Sequence, residues 1–172
     1  MNRTALLFGD SIIDNAPYVG PAGRDVTSHL EELAPHWLIE RRALDGAVCT
    51  DVVYSQLIAA VPENARLVLS VGGNDALQKS DLLEDPTTMT FGLAMARFRE
   101  IREEFRSSYR DALDRLVEFD APTLVLTIYN PRYGLEGYPE AAQLAAEGAL
   151  SAFNDVIQQE AIHSGFDVLD IR

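Results

Sequence analysis

The sequence predicts an α/β fold, a three-layer α/β/α sandwich around a five-stranded parallel sheet. Short apolar runs alternate with longer stretches in which apolar residues recur every three or four positions. Such alternation of strand and helix patterns is typical of a parallel sheet covered by helices. The chain has 172 residues, enough for one domain with its own hydrophobic core. We therefore expect one domain over residues 1–172.

Five strands and two long helices follow from these patterns, and together they indicate a flavodoxin-like architecture. The strands are predicted near Thr4–Phe8, Trp37–Ala43, Leu67–Val71, Thr123–Ile128 and Asp167–Ile171. A helix from about Phe91 to Glu118 carries an apolar stripe that we interpret as core, with mixed charges on its other faces. The stripe consists of Phe91, Met95, Phe98, Ile101, Phe105, Tyr109, Leu113 and Leu116. A last helix, about Ala141 to Ser164, is predicted to end at a C-cap at Gly165.

The charge balance excludes several classes of partner. Asp and Glu number 27 against 14 Lys and Arg, for a net charge of −13, which argues against nucleic acids and anionic membranes. Lys79 is the only lysine, so Schiff-base chemistry and a Walker-type phosphate site have almost no candidate. We expect a neutral small-molecule substrate, no cofactor and no metal, and the sequence leaves the oligomeric state open.

The compartment is predicted from two further features. Cys49 is the only cysteine, which excludes an internal disulfide and fits a reducing compartment, and we interpret it as a core residue. The first apolar run begins only a few residues after Met1, which leaves no room for a signal peptide, and no apolar stretch is long enough to span a bilayer. The expected location is the cytoplasm, without membrane insertion.

Three polar turns follow three of the predicted strands. Gly9-Asp10-Ser11 follows the first, Gly46 lies after the second, and Gly72-Gly73-Asn74-Asp75 follows the third. Because the carboxyl ends of parallel strands meet at one edge, Ser11, Gly46 and Asn74 are expected to converge there. Ser11 can be a nucleophile on a tight turn with a helix behind it, and the backbone N–H groups of Ser11 and Gly46 with the Asn74 amide can stabilise an oxyanion.

These three turns together resemble the SGNH/GDSL hydrolase family along essentially the whole chain. The resemblance implies that Ser11 is the nucleophile, that Ser11, Gly46 and Asn74 form the oxyanion hole, and that the reaction is hydrolysis of carboxylic esters or thioesters, or deacetylation of carbohydrates. The candidate substrate-binding residues are Asp10, Asp14, Tyr18, Gly73, Asp75, Tyr129 and Asn130. Several belong to two loops, residues 14–20 and 129–139, for which ordinary turn chemistry is the alternative. The second loop, a predicted lid, has few large apolar residues, which favours short acyl or acetyl esters.

The fourth block of the family, Asp-x-x-His after the last strand, is not found in these 172 residues. Asp170 is predicted to lie within the last strand and is not assigned the role of the acid. His29, His36 and His163 are interpreted as solvated or capping residues. We expect a C-terminal segment beyond Arg172 that carries the block or another residue in place of its histidine. The alternative is a degenerate domain that binds an acyl or carbohydrate ligand without turnover, and a flavin- or phosphate-binding module is a weaker third possibility.

Overall fold

The computed structural model of the chain describes residues 3–79, 90–130 and 140–172. Within them lie five strands: β1 (Arg3–Gly9), β2 (Trp37–Arg41), β3 (Ala65–Ser70), β4 (Thr123–Leu126) and β5 (Asp167–Leu169). They form one sheet in the order β2-β1-β3-β4-β5, and every neighbouring pair is parallel. The predicted five-stranded parallel sheet is thereby confirmed. Its carboxyl edge presents the turns that follow β1, β2 and β3 on one side of the molecule.

Helices connect the strands and cover the sheet. They are α1 (Val26–Leu33), α2 (Cys49–Asp51), α3 (Gly73–Leu77), α4 (Phe91–Val117) and α5 (Glu140–His163). A π-helical turn (Val52–Gln56) continues α2, and a short 3-10 turn (Ala16–Tyr18) precedes α1. The two long helices are close to their predicted limits, and Gly165 follows the last one with φ +76°, as expected of a C-cap.

Most of the hydrophobic core lies on one face of the sheet. Alternate residues of β1 and β3, such as Leu6 and Leu67, pack there against the buried sides of α2, α4 and α5. Phe105 of α4 and Phe153 of α5 meet with ring centroids 4.8 Å apart. A smaller cluster around Leu7 on the opposite face packs against α1. Helices on both faces make the predicted three-layer arrangement.

An ion pair between the two long helices completes that core. Glu160 of α5 is 5% exposed, and its carboxylate accepts hydrogen bonds from Arg106 and Arg110 of α4, the latter through Nε at 2.9 Å. These hydrogen bonds lower the pKa of Glu160, and the bond from Arg110 contributes most. Because a nearly buried carboxylate is tolerated only when it is paired, the pair fixes α4 and α5 against each other.

Three predicted strands end two residues earlier in the structure, and β3 ends one residue earlier. After β2, the N–H groups of Arg42 and Ala43 both donate to the Leu7 carbonyl oxygen, at 2.8 and 2.9 Å, which breaks the regular ladder. After β4, the Ile128 N–H donates to the Asn154 side chain at 2.7 Å. After β5, the Ile171 N–H donates to the Thr127 hydroxyl at 2.9 Å. After β4 and β5, a side-chain acceptor thus replaces the neighbouring strand.

The predicted apolar stripe of α4 is buried only along part of its length. Ile101, Phe105 and later members are buried, whereas Phe91 is 82% exposed and Met95 48% exposed. The reason is length: 27 residues at about 1.5 Å each make a helix of roughly 40 Å. Strands of three to seven residues span at most about 23 Å. The first turns of α4 therefore extend past the sheet, beyond its carboxyl edge.

Candidate active site

The turn after β1 places Ser11 at the carboxyl edge of the sheet. Gly9 has φ +131°, and a Cβ there would lie 1.8 Å from the Ser70 carbonyl oxygen, so only glycine fits. The Asp10 N–H donates to that same Ser70 oxygen at 3.0 Å. The chain then makes one turn, with the Asp14 N–H donating to the Asp10 carbonyl at 2.9 Å. The helix predicted directly behind Ser11 is absent from this described stretch, where a single turn takes its place.

Gln56 anchors this turn from the π-helical segment. Its side-chain oxygen accepts the Gly9 N–H at 2.7 Å and its amide nitrogen donates to the Gly9 carbonyl at 2.8 Å. Gln56 is 3% exposed, so both bonds are buried. Asn154 of α5 forms the same two-bond pair with the backbone of Ile128, at 2.7 and 2.9 Å. The sequence analysis missed both residues, because each partner lies far away along the chain.

Hydrogen bonds join the turns after β1, β2 and β3. The Leu44 N–H donates to the Gly9 carbonyl at 3.0 Å, and the Asn74 amide nitrogen donates to the Ala47 carbonyl at 3.0 Å. Gly46 lies between these two contacts with φ +79°, a conformation that favours glycine. In the described part of the chain, the backbone N–H groups of Ser11 and Gly46 have no acceptor. Asn74 retains a second N–H, so three donors are available at this edge.

Asp14 and Tyr18 contact the segment that carries Gly46. The Asp14 carboxylate accepts hydrogen bonds from the Arg41 guanidinium and, at 2.9 Å, from the Asp45 N–H. The Tyr18 hydroxyl donates to the Asp45 carboxylate at 2.9 Å, and this bond raises the pKa of Tyr18. Both residues are predicted to bind substrate, and that role stays a prediction. Their present contacts hold the residue before Gly46.

A buried carboxylate, Asp10, precedes Ser11, and a half-buried one, Asp75, follows Asn74. Asp10 is 3% exposed, and burial, with a smaller contribution from repulsion by Asp75, raises its pKa to about 6. Its carboxylate also accepts the Ile12 N–H at 3.1 Å. Burial raises the pKa of Asp75 as well, and Asp75 accepts the Cys49 N–H at 3.2 Å. Burial raises the pKa of the Cys49 thiol well above its usual range, which is consistent with the predicted core role.

A cavity of about 200 Å³ opens beside Ser11. Of the predicted site residues, five line it: Asp10, Ser11, Gly73, Asn74 and Tyr129. The rest of its wall is mostly apolar and consists of Ile12, Val71, Ala76, Leu77, Phe98, Ile101, Ile128, Ala146, Ala149, Leu150 and Phe153, with Ser70 and Lys79.

The other predicted site residues lie outside that wall. Gly46 is exposed and lies one residue before the carbonyl that Asn74 binds, and Asp75 is turned toward Cys49. Asn130 is exposed, and the rest of the predicted second loop, residues 131–139, lies outside the described residues.

The structure separates all three histidines from the cavity. His29 lies within α1, His36 just before β2 and His163 at the end of α5, and each is exposed. Asp170, predicted inside the last strand, instead follows β5 at the carboxyl edge. Its carboxylate accepts the Thr127 hydroxyl at 3.0 Å and pairs with Arg172, which lowers the pKa of Asp170. The strand prediction is wrong here because the Thr127 side chain takes over the Ile171 N–H.

Comparison with known proteins identifies the fold. No protein-family model matches the sequence, and a search of curated proteins also finds no match. Among solved structures, an extracellular lipase from Streptomyces rimosus is 20% identical with a TM-score of 0.67 over 98% of this chain and 80% of the lipase. Phospholipase A1 from Streptomyces albidoflavus NA297 is 21% identical with a TM-score of 0.65, over 98% of this chain and 79% of the phospholipase.

A third neighbour belongs by name to the G-D-S-L family. It is a member of the lipolytic G-D-S-L family from Veillonella parvula DSM 2008, 14% identical with a TM-score of 0.66, over 98% of this chain and 77% of its own. The chain therefore has an SGNH/GDSL hydrolase-like fold, as the three polar turns predicted. An acetyl xylan esterase has the same fold, with 17% identity and a TM-score of 0.67 over 98% of this chain and 77% of the esterase, so the neighbours include lipases and an esterase.

Proposed function

We propose that this protein is a serine hydrolase that cleaves carboxylic esters through an acyl-enzyme on Ser11. The observation that carries the proposal is that Ser11 lines an apolar cavity together with Asn74, at an edge where hydrogen bonds join the three turns that carry Ser11, Gly46 and Asn74. The lipase and esterase neighbours support the same class of reaction. The expected substrate is a small-molecule ester.

The reaction follows from these groups in two steps. The Ser11 hydroxyl oxygen attacks the ester carbonyl carbon while a base takes the hydroxyl proton, and the N–H groups of Ser11, Gly46 and Asn74 stabilise the oxyanion. The C–O bond to the alcohol then breaks, and the alcohol leaves with that proton. Water attacks the acyl-enzyme in the same way, which releases the acid and restores Ser11.

Asp170 is the candidate acid that would orient the base. It lies at the carboxyl edge, bonded to Thr127, and Thr127 directly precedes the cavity residue Ile128. In the pattern Asp-x-x-His, an acid at Asp170 would be followed by a histidine at position 173. Without a base, a serine hydrolase loses on the order of 10⁴- to 10⁶-fold in turnover. The proposal therefore requires a general base, and a histidine at that position is the candidate that the family pattern implies.

Labelling with a fluorophosphonate, which reacts only with activated serines, tests the proposal. We expect one adduct by intact mass on the wild-type protein, and none on Ser11→Ala. Two versions of the chain separate the role of the base: one that ends at Arg172 and one that continues through a histidine at position 173. The second is expected to react at least 100-fold faster, which is a lower limit set well inside the loss given above. Equal and negligible rates in both would contradict the serine mechanism.

A second candidate function is ligand binding without turnover. It is favoured by one observation: the three histidines all lie away from Ser11. Under this alternative the cavity holds an acyl or carbohydrate ligand, and the protein does not catalyse hydrolysis. Binding of such a ligand that is unchanged in Ser11→Ala, together with no adduct on the wild-type protein, would support it.

A further inference from the structure

We propose that the cavity beside Ser11 holds the acyl chain of the substrate and that Ala146 on α5 sets its length, so that acyl groups of about six carbons are preferred to acetyl. This inference deepens the proposed ester hydrolysis and rests on it. It departs from the short-chain expectation, which depended on a loop whose residues 131–139 are outside the described structure.

The cavity has one polar end and an apolar remainder. Asp10, Ser11 and Asn74 line the polar end, where an ester carbonyl would react. Carbohydrate ligands would require polar partners along the whole wall, because each buried hydroxyl needs a hydrogen bond. The lining residues from α4 and α5 are instead alkyl and phenyl groups, which suit an acyl chain.

The exposure of the lining residues indicates which end of the cavity opens to solvent. Leu77 and Tyr129 are 51% and 44% exposed, and so they lie at the mouth. Ile101 and Phe153 are 4% and 2% exposed, and so they form the interior end. An acyl chain attached at Ser11 would therefore extend between α4 and α5 and away from solvent.

The size of the cavity limits the chain. Its volume is about 200 Å³. An apolar protein cavity of about 150 Å³ accommodates benzene, a ring of six carbons. A chain of about six carbons therefore fits, whereas an acetyl group would leave most of the apolar wall without contact. A chain of ten carbons would exceed the space.

The small side chain of Ala146 leaves space in the cavity. It is 8% exposed and lines the cavity, as do Ala149 and Leu150 three and four positions further along α5, on the same side of the helix. Because alanine ends at Cβ, a leucine at position 146 would add three carbons inside the cavity. The neighbouring Ala145 is exposed and does not line the cavity, so it offers a matched control on the same helix.

The test compares kcat/KM for p-nitrophenyl acetate, butyrate, hexanoate and decanoate. Each buried methylene contributes about fourfold, so wild-type kcat/KM is expected to rise on the order of 100-fold from acetate to hexanoate and to fall at decanoate. Ala146→Leu is expected to lower the hexanoate-to-acetate ratio at least tenfold. Ala145→Leu is expected to keep the wild-type ratio.

Binding supplies a readout that does not depend on turnover. Calorimetry with hexanoate and acetate on Ser11→Ala is expected to show tighter binding of hexanoate, and the preference is expected to weaken in a variant that also carries Ala146→Leu. If circular dichroism shows that Ala146→Leu is unfolded, Ala149→Leu takes its place in both measurements.

The outcomes separate this inference from the proposed function. Ester hydrolysis with the same chain-length profile in wild type and Ala146→Leu would overturn the role of the cavity while ester hydrolysis stands. Hexanoate that binds no tighter than acetate would also overturn it. No hydrolysis at any chain length, with hexanoate still preferred in binding, would overturn the proposed function and leave the acyl site in place.

Discussion

Replacement of Gln56 by methionine tests whether the amide pair with Gly9 stabilises the turn that carries Ser11. Methionine has a similar length and shape but no amide, so the substitution removes both hydrogen bonds with little change in packing. The Gly9 carbonyl keeps its bond from the Leu44 N–H at 3.0 Å. The Gly9 N–H loses the acceptor that it now has at 2.7 Å.

The magnitude follows from that difference. A buried donor left without a partner costs about 1–3 kcal/mol, and the loss of one ordinary hydrogen bond costs about 0.5–1.5 kcal/mol. We therefore expect Gln56→Met to lower the free energy of unfolding by about 2–4 kcal/mol, a large part of the roughly 5–15 kcal/mol of a typical domain. Urea unfolding followed by circular dichroism measures this quantity.

A matched variant controls for the chemistry of the substitution. Gln78 is an exposed glutamine that directly follows α3, and Gln78→Met is expected to change stability by less than about 0.5 kcal/mol. A loss below about 1 kcal/mol in Gln56→Met would refute the reasoning, since it would mean that water or another group satisfies Gly9.

Two further predictions concern buried titratable groups. The pKa of Asp10 is raised from 3.8 to about 6, so the folded state binds the carboxyl proton more tightly than the unfolded state does. This difference stabilises the folded state by about 3 kcal/mol below about pH 4, and the stabilisation is lost as the pH rises through about 6. The Asn side chain of Asp10→Asn stays neutral, so the free energy of unfolding of this variant is expected to rise relative to that of the wild type between about pH 4 and 6, as measured by urea unfolding. A difference between the two proteins that does not change with pH would contradict this. Cys49 is fully buried with a raised pKa, so iodoacetamide at about pH 8 is expected to alkylate it in urea but not in the native protein, by intact mass. Rapid native alkylation would show that α2 opens.

The sheet and its three polar turns could be predicted from the sequence because both signals are local. The apolar run before Gly9 specifies a buried strand, and the glycine specifies a turn whose conformation other residues cannot adopt. The three turns that form the candidate site were found for the same reason. The strand order and the register were not predicted, because they depend on which distant strands pair.

The features that could not be predicted depend on contacts between distant parts of the chain. Gln56 lies 47 residues from Gly9, and nothing in its own neighbourhood distinguishes it from a surface glutamine. The polar residues Asp14 and Tyr18 were identified as candidates for substrate contact, but only the fold reveals that they bind Arg41 and Asp45. The limits of β5 depended likewise on Thr127, 44 residues before Ile171.

The pair between Asn154 and Ile128 has a consequence for how this scaffold can change. The backbone after β4 is held on both its donor and its acceptor by one side chain of α5, so the segment that follows departs from a fixed point. Substitutions at Asn130, directly after this point, are then expected to leave the sheet and the part of the cavity wall that Ile128 contributes in place. A designer who wished to give this fold a new substrate would graft at that point and leave Asn154 alone.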